Sequence, residues 1–188
     1  HSMITMGKLQ PGESVLVIGA GGGVNSASIQ IAKLIGCKVY VVGSNAEKCA
    51  LAASLGADVT IDRSQEESWS KAVGKLTNRA GVDVVIDNVG QATLMDSMKA
   101  VKRGGRILIV GNTSGYNAQI DTRYLFAKQI SLIGSSMGTT ADYVKVMNLV
   151  FAGKLKPVVG KVFPLSEARQ AEETLRKFDV FGKVVLAI

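Results

Sequence analysis

Six short apolar runs recur along the chain: Ser14–Ile18, Lys38–Val42, Asp58–Ile61, Asp83–Ile86, Arg106–Val110 and Ile130–Ile133. They are apolar throughout rather than alternating, which suits strands covered on both faces, as in a parallel sheet. The stretches between them carry helical spacing. Trp69, Val73 and Leu76 fall at i, i+4 and i+7, while Leu94, Met95 and Met98 share a face, as do Tyr143, Met147, Val150 and Phe151. Parallel strands need crossovers, and crossovers of this kind are right-handed. The expectation is therefore an α/β, doubly wound, three-layer fold with a six-stranded parallel sheet.

Six strands fit the two-halves Rossmann order 3-2-1-4-5-6, in which a ligand lies at the switch point between strands 1 and 4. The polar, glycine-containing stretch Gly111–Arg123 reads as a loop. Beyond Lys154 the pattern changes: Pro157–Phe163 looks extended, Ser166–Lys177 looks helical with Ser166 as its cap, and Lys183–Ile188 reads as a last strand.

Composition removes several function classes. No apolar run reaches the roughly 18 to 20 residues of a membrane span, and nothing resembles a secretory leader. His1-Ser2-Met3 reads as the remnant of an expression tag and is set aside from the fold. His1 is the one histidine, so the remainder offers no imidazole for metal binding, nucleophile activation or proton shuttling. Cys37 and Cys49 lack His partners and zinc-ligand spacing; they read as buried, reduced thiols of a cytoplasmic protein, and no metal site is expected. The net charge of +7 comes from scattered Lys and Arg with only 5% aromatics. Without basic runs or stacking platforms, nucleic-acid binding is disfavoured, and a mildly cationic surface suits an anionic ligand.

The most informative local feature is the segment from Val15 to Ala27, which leaves a strand, turns through Gly19, Gly21, Gly22 and Gly23, and opens a helix containing Ile29 and Ile31. Removing side chains at such a turn lets backbone N–H groups close on a diphosphate at the positive end of a helix. Flavoproteins and methyltransferases use similar turns, so the loop alone does not choose among them.

Further segments narrow the choice. Gly19–Asn25, Ile29–Lys33, Ser54–Ala57, Asp87–Gly90 and Gly104–Gly111 occur in the order and spacing of the zinc-type alcohol dehydrogenase and quinone oxidoreductase families. Gly153–Val159, Pro164–Ala168 and Gly182–Leu186 follow in the same way. On these motifs the chain resembles the cofactor-binding domain of the medium-chain dehydrogenase/reductase superfamily. The resemblance implies a Rossmann domain over residues 4–154. It further implies that residues 155–188 lead back to a GroES-like catalytic domain, which holds zinc ligands or a zinc-free pocket and is otherwise absent. The chain is then a shortened form of a longer parent and is not competent alone, with no catalytic residue of its own. Zinc belongs, if anywhere, to the parent. Asn25 stands where the family usually has a third glycine, which either is tolerated or adds a hydrogen bond to the loop or a phosphate.

By the same resemblance the cofactor is a nicotinamide dinucleotide, cradled at Gly22, Gly23 and Val24. An NAD-selective domain usually ends its second strand with Asp or Glu, and here that place is Gly43. Gly43 leaves room for a 2′-phosphate, Ser44 can donate a hydroxyl, and Lys48 and Arg63 can supply charge. NADP(H) is therefore favoured over NAD(H). The nicotinamide end is expected at Asn88 and Val89, at Val110, Gly111 and Asn112, and at Ser135, Ser136 and Met137. The implied parent reaction moves hydride between NAD(P)(H) and a small alcohol, carbonyl or activated alkene.

Two alternatives stand beside this one. Tyr124 and Lys128 match the Tyr-x-x-x-Lys pair of short-chain dehydrogenases, which would make the chain a complete enzyme. A non-catalytic, self-associating nucleotide-binding module is the other. The sixth strand, apolar and at the sheet edge, points to a homodimer.

Overall fold

The computed structural model of the chain describes residues 1–177 and 180–188. Strands β1 (Ser14–Ile18), β2 (Lys38–Gly43), β3 (Val59–Asp62), β4 (Val82–Asp87), β5 (Val101–Ile109) and β6 (Ser131–Gly134) form one parallel sheet. Their order is β3-β2-β1-β4-β5-β6, the doubly wound arrangement expected from the sequence. Between them run α1 (Gly23–Ile35), α2 (Ala46–Ser54), α3 (Trp69–Leu76), α4 (Leu94–Ala100) and α5 (Thr122–Lys128), and α6 (Thr140–Phe151) follows β6.

The central strands are apolar on both faces because each face meets its own core. Leu16 and Ile18 of β1 pack with Tyr40, Val42, Trp69, Val73, Met98 and Ile107 on one side. Val15 and Val17 pack with Ile29, Ala32, Val39, Val41, Ile86 and Leu108 on the other. Each buried Val, Leu, Ile or Met side chain contributes roughly 1.5–3 kcal/mol by leaving water, so β1, buried from Val15 to Ile18, is the anchor of both layers.

Several local expectations change. β5 begins at Val101, not Arg106; its first half is polar because Lys102 pairs with Asp83 and Arg103 and Gly104 are exposed. α5 starts at Thr122, inside the stretch read as loop, because the Asp121 side chain accepts from Arg123 N and caps it. Ser166 is not a cap: Leu165–Glu167 forms a 3-10 turn, and α7 (Ala168–Arg176) starts after Glu167 without a side-chain cap bond. Met3, set aside with the tag, is buried at 5% exposure within a π-type turn over Ser2–Met6. It joins the core on the α1 side. α6 buries none of its residues, and Tyr143 and Phe151 on its apolar face are exposed.

The C-terminal stretch makes a sheet of its own. β7 (Val159–Pro164) and β8 (Lys183–Ala187) pair in parallel, with α7 between them as the crossover. No helix among the described residues is long and apolar enough to cross a membrane.

Candidate functional site

The carboxyl ends of β1, β2, β3 and β4 surround a cleft of about 390 Å³ at the switch point of the sheet. Its floor is the turn between β1 and α1, and the turn is glycine-rich for reasons the geometry makes plain. Gly19 sits at φ +93°, a conformation that a side chain disfavours. A Cβ there would also lie 2.6 Å from Asn25 Nδ2. Asn25 is itself buried and donates from Nδ2 to the Ile18 carbonyl at 3.1 Å. The asparagine in place of a third glycine thus ties the first turn of α1 to the end of β1 through a hydrogen bond within the loop.

α1 begins with Gly22 as its cap residue, without a side-chain cap bond, and its first backbone bond runs from Ser26 N to Gly22 O at 2.9 Å. The amides of Gly23, Val24 and Asn25 precede that bond and point out of the helix end, where the macrodipole is positive. Side-chain cation is supplied nearby. Lys48 on α2 lies along the turn, its Cε 3.7 Å from a Cβ built at Gly21. Lys183 on β8 lies over Gly23, its Nζ 2.8 Å from the corresponding point there. The C-terminal segment is fastened in this position by Gly182 N donating to Gly21 O at 2.7 Å.

The other end of the cleft is built by the ends of β2 and β3. Ser44 and Arg63 line it beside Val42 and Trp69, and Arg63 N donates to Gly43 O at 3.0 Å, joining the two strand ends. Among the described lining residues there are two cations, Lys48 and Arg63, and no carboxylate. Asp62, opposite Gly43 in register, is engaged by Ser64 N at 2.9 Å and Ser64 Oγ at 2.7 Å. A Cβ at Gly43 would lie 2.5 Å from Cys49 Sγ, so the thiol fills the space beside that glycine.

At β4 the buried Asp87 organises the rim. Its carboxylate accepts from Val89 N and Gly90 N at 2.9 and 3.0 Å, and from Thr93 Oγ1 and Ser97 Oγ at 2.8 Å each. This fixes the Asp87–Gly90 turn, so that Val89 and Thr93 face the cleft.

Of the residues expected from sequence, Gly22, Ser44, Lys48, Arg63 and Val89 line the cleft together. Gly23 sits on the far side of the turn under Lys183, and Val24 is half exposed on α1. Asn88 lies behind Val89, against Gly111. Val110 continues β5, its N–H donating to Asp87 O at 2.9 Å. Ser135 does the same after β6, donating to Ile109 O at 3.0 Å. Asn112, Ser136 and Met137 are exposed farther along the same sheet edge, with Met137 at φ +58°. They do not line this cleft. Sequence reasoning missed Trp69, Thr93, Thr113, Leu175, Val180 and Gly182, which do. A glycine immediately before a lysine in the tail was the available signal for the last of these.

Tyr124 and Lys128 do not form a catalytic pair. Lys128 Nζ donates to the carbonyls of Met98, Lys99 and Val101 at 3.1, 2.8 and 2.8 Å, completing the end of α4. Tyr124 packs beside it on the α3/α4 core, and neither lines the cleft. Burial lowers the Lys128 pKa, yet its three carbonyl partners commit the ammonium to structure. Cys37 and Cys49 are buried and unpaired, with burial raising both thiols. No cluster of three or more metal-ligating side chains occurs among the described residues.

Comparison with known proteins agrees with this geometry. Residues 23–152 match the family model described as zinc-binding dehydrogenase. The chain belongs to this family, within the medium-chain dehydrogenase/reductase superfamily. It is 32% identical over 188 residues to an NAD-dependent alcohol dehydrogenase of Saccharolobus solfataricus, covering 99% of this chain and 54% of that protein. A crystal structure of an NAD-dependent alcohol dehydrogenase superposes with a TM-score of 0.92 at 38% identity, covering 100% of this chain and 55% of the other. A 2-octenoyl-CoA carboxylase reductase in complex with NADP and 2-octenoyl-CoA superposes with a TM-score of 0.88 at 29% identity, covering 96% and 44%. The chain thus spans about half the length of the proteins it matches. It corresponds to the cofactor-binding domain of this family.

Proposed function

We propose that the cleft holds NADP(H) in preference to NAD(H), for a parent enzyme that moves hydride to or from a small alcohol, carbonyl or activated alkene. The observation that carries the cofactor reading is the lining at the ends of β2 and β3: Ser44, Lys48 and Arg63, with no carboxylate among the described lining residues. An acidic side chain there would accept from the ribose hydroxyls of NAD and repel a 2′-phosphate. A guanidinium instead offers a planar pair of donors to phosphate. The relatives carry both cofactors in their names, so the choice rests on these residues.

When bound, the nicotinamide supplies the hydride chemistry. This chain's residues orient the dinucleotide: the α1 amides at Gly23, Val24 and Asn25 receive the diphosphate, with Lys48 and Lys183 adding charge. The turns at Asn88–Val89, Val110–Asn112 and Ser135–Met137 lie along the sheet edge toward the nicotinamide end. None of the described lining residues is His, Cys, Tyr, Asp or Glu. Residues 155–188 are read as the return to a catalytic domain, and zinc, where used, belongs to that domain. The exposed edge of β6 is read as the seam of a homodimer.

Trp69 is the single tryptophan and lines the cleft, so its fluorescence reports occupancy. NADPH is expected to quench it with a Kd at least ~10-fold below that for NADH. Arg63→Ala should weaken NADPH by ~10-fold or more, since a hydrogen bond to a charged group is worth ~1.5–3 kcal/mol, and leave NADH little changed. Equal affinity, or preference for NADH, would overturn the cofactor reading. Mixing the chain with NADPH and simple aldehydes or quinones should give binding without loss of nicotinamide absorbance. Turnover by the chain alone would contradict the division of labour argued above.

A further inference from the structure

We propose that Cys49, which lies beneath the cofactor cleft rather than on it, holds position 43 to glycine and so closes that position to the acidic side chain an NAD-selective cleft would use. The proposal rests on the NADP(H) reading of that cleft and names the residue that constrains its specificity position.

Gly43 ends β2 at the place where an acidic side chain would select NAD. Its backbone does not demand glycine, because it is absent from the left-handed positions that include Gly19, Gly36 and Gly56. What excludes a side chain is packing. A Cβ at Gly43 would lie 2.5 Å from Cys49 Sγ, with Cys49 N at 3.3 Å and Asn45 O at 3.4 Å as the next nearest atoms. The last two are tight contacts that a few tenths of an ångström relieve. The first is not, because Cys49 is 7% exposed and its short side chain is enclosed by the helix and the strand it covers.

The flanking backbone can yield by those few tenths but is anchored against the larger shift that the thiol contact would require. Asn45 caps α2 by accepting from Lys48 N at 2.9 Å, and Cys49 N donates to Asn45 O at 3.1 Å. On the other side Gly43 O is held by Arg63 N at 3.0 Å, and Gly43 is in register with Asp62. The thiol therefore wedges between two fixed elements. Truncating it to a methyl group removes the single contact that a Cβ at position 43 cannot survive. A residue that does not line the cleft thus decides whether a carboxylate can be placed in it.

The experiment is a double-mutant cycle read in two ways. Gly43→Ala and Gly43→Asp are made alone and with Cys49→Ala, and melting temperature and the Trp69-detected Kd for NADPH and NADH are recorded. Each position-43 variant alone should melt at least ~5 °C lower than the wild type. Adding Cys49→Ala should restore most of that loss, and Gly43→Asp/Cys49→Ala should favour NADH over NADPH by ~10-fold or more. Cys49→Ala alone should keep the wild-type cofactor preference, because Gly43 is still glycine. Wild-type preference for NADH would sink the cofactor reading, and this proposal with it, in the first titration. Wild-type preference for NADPH with position-43 variants that melt like the wild type, or that Cys49→Ala fails to rescue, would sink this proposal alone. Should Gly43→Asp fail to fold, the Gly43→Ala pair carries the cycle.

Discussion

Asn25 shows how much one side chain can change the reading of a motif. The sequence left it open between a tolerated substitution and an added hydrogen bond, and the structure gives it a definite partner in the Ile18 carbonyl. That carbonyl ends β1 in a buried position, where an unmet acceptor costs roughly 1–3 kcal/mol. Asn25→Ala should therefore lower stability by about 1–2 kcal/mol, or about 2–8 °C in melting temperature for a chain of this size. If the amide serves the loop and not the cofactor, NADPH affinity should change less than ~3-fold. A 10-fold loss of affinity with an unchanged melting temperature would reverse that assignment. Gly43 carries the opposite lesson. Its lack of a side chain was legible, but the reason lies six residues on in Cys49, and no local pattern connects the two.

At the scale of elements, the strands were legible because burial on both faces leaves a run of apolar residues with no other use. Their order followed from chirality and from the glycine turn. The elements that escaped are those held by polar contacts. The first half of β5 carries Lys102 against Asp83, and α5 is started by an Asp121 cap within a polar stretch. The tail from Val180 to Lys183 reaches the glycine turn through one backbone bond to Gly21 and an overlying lysine. Such contacts join residues far apart in sequence and leave no periodicity. The same polar lashings predict an acid-sensitive fold. Glu13 is held below its usual carboxylate range chiefly by the hydrogen bond from Arg106, against burial, and Arg106 also reaches Gly7 O. Burial works to raise Asp83, but Lys102 and Ser14 outweigh it and hold it low. A depressed folded pKa means that the unfolded chain binds more protons. This stability is complete above the ordinary carboxylate range, near pH ~4, and is lost as pH falls through the folded values. Glu13→Gln should cost about 1–2 kcal/mol at pH 7, and its deficit against the wild type should shrink in melts taken near pH ~3. A deficit independent of pH would show that the pair's charge is not what stabilises the seam.

At the scale of the molecule, the two edges of the main sheet differ in a way that favours association at one of them. β3 is flanked by Asp58 and Arg63 and ends in Asp62, so a strand added there would meet charge at both ends. β6 is the opposite edge, and no charged residue occurs between Lys128 and Asp142. Phe126 before it and Met137 after it are 72% and 89% exposed. A short, uncharged edge with apolar neighbours is the kind that pairs with another strand unless it is covered. A second copy related by a two-fold axis presents the same strand in return, so the contact closes at two chains rather than growing. Light scattering should accordingly give twice the monomer mass. The discriminating variant is Ser131→Lys with Gly134→Lys. Both positions are exposed, and a Cβ at Gly134 meets nothing within 4 Å, so the added charges disturb the edge and not the core. That variant should run as a monomer and still quench Trp69 on adding NADPH, because the cleft lies across the sheet at β1 and β4. A wild type that remains monomeric at high concentration, or a lysine variant that still dimerises, would show that β6 is not the seam.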